Sequence, residues 1–168
     1  KRLMMAVLCL ALLVLTVSTG CGRSPAGAGY PSAKWSARLA KGGFEEGRAG
    51  KKIDRIILYT TEHDADHAIK LWRESESMSG HYIVTLDGVV WQLLRDSETG
   101  WHAGNRDYNL HSIAIAVEGF ADPANPENLA GHDPLQSEEQ LQSLTKLLEW
   151  LCEQHEIPID RAHIIGKN

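Results

Sequence analysis

The chain has 168 residues, of which 17 are Lys or Arg and 22 are Asp or Glu, for a formal net charge of −5. That length suits one domain with a real core and is short for two. The acidic balance offers no general attraction to phosphate backbones or anionic lipid surfaces, so nucleic acid is not an expected partner.

At the N-terminus Lys1 and Arg2 precede an apolar run from Leu3 to Val17, followed by "VSTGC", Val17 to Cys21. A charged start, an apolar stretch shorter than a roughly 20-residue membrane span and a small-residue exit predict an export signal over residues 1–20. Its loss takes away Lys1 and Arg2 and moves the charge to −7. Cys21 stands where bacterial lipoproteins carry their lipid, although Ser18 replaces the usual aliphatic residue. Lipidation leads this reading, and simple secretion or an uncleaved anchor are its rivals. Residues 21–33, rich in Gly, Ala, Pro and Ser, read as a flexible tether, which leaves 34–168 as the folded domain. Beyond Cys21 the mature chain has only Cys152, so a disulfide-stapled scaffold is not expected, and Cys152 reads as a small packed hydrophobe rather than a nucleophile.

Within the domain, "IDRIILYT", Ile53 to Thr60, predicts a strand buried on both faces. Asp64 or Asp66 can cap a helix running to about Ser75, with Ala68, Leu71 and Trp72 on one face. "HYIVTLDGVVWQLL", His81 to Leu94, predicts a hairpin in which Asp87-Gly88 supplies the positive φ angles of a tight turn. "HSIAIAVEGF", His111 to Phe120, reads as a central strand. From Ser137, with Gln140 in capping-box register, an amphipathic helix follows whose stripe is Leu141, Leu144, Leu148 and Leu151. A short strand, Ala162 to Gly166, comes last. Strands interleaved with helices, one hairpin among them, predict an α/β domain built on a single mixed sheet flanked by helices.

Polar groups gather at four strand ends: "YTTEH", "GWHAGN", "VEGF" and "HIIGKN". Such ends often carry the functional groups of α/β folds, so the four are expected to converge on one cleft. His63 and His67, four apart with Asp64 and Asp66 between them, have a spacing that can hold a metal, against the simpler reading of a capped helix with two solvated rings.

The order of Thr-Thr-Glu after a strand, "SGHYIVTLDGVVWQL", "WHAGNRDYNLHSIAIAVEGF", a capped helix and "IPIDRAHIIG" resembles the zinc-dependent N-acetylmuramoyl-L-alanine amidases, the amidase-2 and peptidoglycan recognition protein superfamily, from about Lys51 to Asn168. The resemblance implies the α/β fold of that superfamily and, in active members, a zinc ion held by a His ending the first strand, a His after the Gly of the last strand and a further ligand downstream. It also implies a Glu at the end of the central strand that helps activate water to cleave the lactyl amide between muramic acid and L-alanine.

Carried over residue by residue, those roles fall on Tyr59, Lys167 and Ala116. The downstream ligand would lie past Asn168, so the domain is read as truncated at its C-terminus. A phenol, a methyl group and an ammonium are poor company for a dication, and Ala116 cannot accept a proton. No metal site and no cofactor are therefore expected in this chain, in contrast to the zinc of active members. Glu118, two residues beyond Ala116, could substitute as a base or serve the structure. His81, Trp101, His102 and Asn105 fall in motifs that line the superfamily's substrate groove; for His81 a hydrogen-bonded structural imidazole is the equal alternative.

The expectation is thus an extracytoplasmic domain, tethered to a membrane by lipid on Cys21, that binds peptidoglycan or muropeptides without cleaving them. Its rivals are an active amidase with a rebuilt metal site and a surface lipoprotein with a scaffold role.

Overall fold

A computed structural model describes residues 29–36, 42–119 and 137–166. The stretch read as an export signal, Cys21, most of the stretch read as a tether and Lys167 lie outside the described residues. In chain order the elements are β1 (Lys34–Trp35), β2 (Phe44–Glu45), β3 (Arg55–Thr60), α1 (Ala65–Glu74), β4 (Tyr82–Val84), β5 (Val90–Gln92), β6 (Thr99–Gly100), α2 (Arg106–His111), β7 (Ser112–Val117), α3 (Glu138–His155) and β8 (Ile164–Gly166).

Six strands form one mixed sheet in the order β1-β5-β4-β7-β3-β8. The strands β4, β7, β3 and β8 all run parallel, β5 turns back antiparallel to β4, and β1 lies parallel to β5. A separate antiparallel ribbon joins β2 to β6. This is the mixed sheet with flanking helices that the pattern of elements predicts.

Alternation along the strands divides the core in two. Ile56, Tyr82, Val84, Ile113, Ile115 and Val117 face α3 and meet its Leu144, Leu147 and Leu151. Ile83 and Ala116 face the other way, with Tyr59 packed beside them, and meet Ala65, Ala68, Ile69 and Trp72 of α1. All six residues of β7 are buried, as a strand covered on both faces requires.

Both long helices open on side-chain caps. Asp64 accepts from the His67 N–H at 2.8 Å, and Ser137 Oγ accepts from the Gln140 N–H at 2.9 Å. Their buried faces differ from the expected stripes. Leu71 is 42% exposed and Ile69 takes its place in the core. In α3, Leu141 is exposed while Gln140 and Leu147 are buried. Gln140 can enter because its amide donates to the carbonyls of Glu118 and Val84, at 2.8 and 3.3 Å. A polar side chain is tolerated inside once its hydrogen bonds are met.

The hairpin also differs in detail. Thr85 and Val89 pair across it, the Gly88 N–H donates to the Thr85 carbonyl, and only Gly88 has a positive φ, +78°. It is a three-residue loop, Leu86 to Gly88, with glycine in the left-handed position, rather than a two-residue turn on Asp87-Gly88.

The folded part begins earlier than Lys34. Gly29 is buried, and a Cβ on it would stand 2.0 Å from the Tyr82 hydroxyl oxygen. The Tyr30 N–H donates to that oxygen at 3.2 Å, and the Tyr30 ring meets Trp150 edge-on at 5.7 Å. Gly29 to Ala33, expected to be the end of the tether, is docked on α3 and the sheet.

Candidate functional site

Because β3, β4, β7 and β8 are parallel, the sheet has a carboxyl end and an amino end, and the predicted site residues divide between them. The carboxyl end carries Thr60, Val117 and Glu118, together with the start of α1. The amino end carries His81, Ser112, α2 and the loop from Gly100 to Asn105. The single cleft expected from four polar strand ends is not what the parallel register produces.

On the carboxyl side, Tyr59 and Ala116 are in-register neighbours on β3 and β7, so the two positions expected to have lost metal ligand and base do sit side by side. Ala116 is fully buried and offers only a methyl group. The Tyr59 ring meets Trp72 edge-on at 6.0 Å, and its hydroxyl is directed at Gly80 beneath α1, wholly covered and without a hydrogen-bond partner. Burial pushes this phenol far above its ordinary value, so it stays protonated. A catalytic zinc needs three basic protein ligands. A neutral phenol aimed into the core and a methyl group do not supply them, and among the described residues no three His, Cys, Asp or Glu side chains are grouped to hold a metal. These residues do not fit a zinc ion.

Glu118 is committed elsewhere. One carboxylate oxygen accepts from the Ala65 N–H at 2.9 Å and the other from the Leu86 N–H at 2.8 Å, which ties the first turn of α1 to the hairpin loop. An anion at a helix start is well placed electrostatically. The carboxylate borders an open depression of about 310 Å³ that also includes Asp64, Asp66, Asp87, Lys34 and Trp91.

At the amino end, Trp101, His102 and Asn105 do come together. They line an open cleft of about 660 Å³ with Glu76, Met78 and Arg106 among its other walls. Trp101 is fixed at both ends: its indole N–H donates to the Gly42 carbonyl and its backbone N–H to Ser79 Oγ, each at 2.9 Å. Asn105 caps α2 by accepting from the Tyr108 N–H. His102 Nε2 lies 3.2 Å from Ser112 Oγ, and Arg106 pairs with Glu45 at 2.6 Å. The result is a partly exposed indole with polar groups around it, held by backbone contacts.

His81 is not a wall of this cleft; it is fully buried behind it. Its Nδ1 accepts from the Ala114 N–H at 3.1 Å, and its Nε2 lies 3.1 Å from the Glu98 carbonyl and 2.9 Å from Arg48 Nη2. Burial first, then the neighbouring Arg48 and His102, lowers its pKa well below the ordinary value, so the ring is neutral. Beside it lies Arg48, which no motif marked. Its guanidinium donates to the carbonyls of Asp96, Asn109, Leu110 and Ser112 at 2.6 to 3.2 Å and binds the α2 region to the loop after β5. Burial lowers its pKa to about 10, against the pull of Asp96, and it remains a cation at neutral pH.

A second unforeseen network holds the docked N-terminal segment. Asp96 accepts from the Tyr82 hydroxyl at 2.6 Å and lies 3.0 Å from His155 Nε2 at the end of α3. Tyr82, Asp96 and His155 are far apart in sequence, and no local spacing announces them.

Comparison with known proteins agrees with this architecture. Among solved structures, the chain is similar to the N-acetylmuramyl-L-alanine amidase AmiD from E. coli, with 19% identity and a TM-score of 0.55 over 75% of this chain and 57% of that one. It is similar to AmpDh3 from Pseudomonas aeruginosa, with 18% identity and a TM-score of 0.57 over 70% and 51%. A selenomethionine derivative of AmpD matches with 14% identity and a TM-score of 0.53 over 82% of both chains. The chain thus spans only a little over half the length of AmiD and about half that of AmpDh3. No curated protein matches in sequence. The family model described as N-acetylmuramoyl-L-alanine amidase matches residues 49–168. With five of the six strands of the main sheet and both long helices inside that match, the chain belongs to the N-acetylmuramoyl-L-alanine amidase family, amidase-2.

Proposed function

We propose that this family member is a peptidoglycan- or muropeptide-binding domain that does not cleave its ligand. It would be held outside the cytoplasm by lipid on Cys21. The observation that carries the loss of catalysis is the in-register pair Tyr59 and Ala116, a phenol turned into the core beside a methyl group. Neither side chain can ligate a metal or take a proton from water at neutral pH. Lys167, the third altered position, belongs to the same reading. No helix among the described residues is long and apolar enough to cross a membrane, and the lipid is the anchor the sequence suggests.

The binding half of the proposal draws on the family. AmiD has been solved in complex with anhydro-N-acetylmuramic acid-L-Ala-D-γ-Glu-L-Lys, its substrate. In this chain the surface suited to such a ligand is the Trp101 cleft. An indole face can cover a sugar ring or an aliphatic stem, while Asn105 offers amide N–H donors and Glu76 a carboxylate acceptor on the rim.

Sedimentation with insoluble sacculi tests both halves. The purified domain is expected to be retained and to release no stem peptides. Trp101→Ala is expected to weaken retention about tenfold, the loss of roughly 1.4 kcal/mol of contact energy. Release of stem peptides that a chelator abolishes would overturn the non-catalytic reading. Absence of retention by the unaltered chain would overturn the binding one and leave the scaffold role.

A further inference from the structure

We propose that His63 and His67 form a two-imidazole chelate on the surface of α1 for a borderline divalent transition-metal cation such as Zn²⁺, Ni²⁺ or Cu²⁺. Their ring centroids stand 4.4 Å apart with the planes inclined by 49°, and both residues are exposed. Two rings this close, each open to solvent, can direct one lone pair apiece at a shared ion while water fills the remaining positions. Imidazole is the side chain such ions favour.

The backbone holds this arrangement in advance. His67 sits in the first turn of α1, where its N–H is fixed by Asp64 at 2.8 Å. His63 precedes that cap and would follow no helical spacing by itself. It is brought over His67 by a left-handed residue, Glu62 at φ +60°, and by the Thr61 hydroxyl donating to the His63 carbonyl. A non-glycine residue in that conformation persists only where its surroundings enforce it. Pre-positioned ligands lose less freedom when the ion arrives.

The site is separate in consequence from the question of amide cleavage. A cation held here lies on the solvent side of α1, whereas Tyr59 and Ala116 pack against its buried side. Zinc found in the purified protein would therefore not by itself restore the catalytic reading; only cleavage would.

The test is a Ni²⁺ titration of the full domain followed by paramagnetic broadening of the histidine ring resonances. His63 and His67 are expected to broaden together, ahead of His111, His155 and His163. His63→Ala and His67→Ala should each weaken Ni²⁺ binding by at least about tenfold, since even the loss of an outer-shell partner typically costs 10–100-fold. Both side chains are exposed, so both variants should fold, which the unchanged dispersion of the remaining resonances would report. Equal affinity in the unaltered chain and either variant would overturn the chelate. So would broadening that begins at another histidine, or no broadening at all.

Discussion

The two ends of the sheet solve opposite problems with the same fold. At the amino end, buried polar groups are gathered and nearly all find partners: Arg48 meets four carbonyls, and His81 is bonded through both ring nitrogens. On the carboxyl side, beneath α1, Tyr59 and Ala116 have been absorbed into an apolar core. The contrast teaches that polarity alone does not mark the chemistry of this domain. Its most polar interior is architectural, and the in-register pair Tyr59 and Ala116 is packing.

This comparison can be broken most severely at Ala116. Ala116→Glu places an unpaired carboxylate where nothing is exposed. Burial can raise such a pKa by up to about 3–5 units, at 1.36 kcal/mol per unit, so a loss of about 4 kcal/mol or more is expected at pH 7. Because the folded pKa would stand above the unfolded one, the native state would bind more protons, and the penalty should shrink as pH falls toward about 4.3. Denaturant midpoints at two pH values measure it. A Glu accommodated at little cost would mean that this region is still open to chemistry.

Arg48→Met attacks the opposite end. Four carbonyls lose a cationic donor inside the protein, and a loss of about 3 kcal/mol or more is expected in the same assay. The next effect is a pH slope. His81 is neutral in the fold with a lowered pKa, while the unfolded chain takes up a proton near pH 6.5. The unfolded state therefore binds more protons below that pH, and His81 should subtract up to about 1.4 kcal/mol per pH unit as the pH falls. The difference in stability between the unaltered chain and His81→Gln, followed from pH 7.5 to 5, isolates this contribution. A flat difference curve would contradict a neutral buried ring. Smallest, and opposite in sign, Tyr59→Phe removes a covered hydroxyl without a partner and should raise stability by about 1 kcal/mol. A loss instead would point to a hydrogen bond that Tyr59 makes in solution.

Much of the fold was legible because its signals are local. Asp64 and Ser137 announce helix starts, the run "SIAIAV" announces a central strand, and Gly88 announces a turn. What escaped depends on tertiary contacts. Gln140 displaces Leu141 from the core because two carbonyls from other segments wait for its amide, which helical spacing cannot foresee. Arg48 lies in the unremarkable stretch "GRAG", and the carbonyls it meets are 48 to 64 residues away. In the candidate site, motif reading placed Trp101, His102 and Asn105 together. It had no means to place them at the other end of the sheet from Glu118, because strand polarity is a property of the assembled sheet.

The docking of Gly29 and Tyr30 shortens the leash. If Cys21 carries the proposed lipid, only eight residue steps would separate it from the buried Gly29, a reach of at most roughly 29 Å at full extension. A domain on so short a lead would sample only the layer of wall closest to its bilayer, and lengthening the segment before Gly29 would widen that territory without touching the fold.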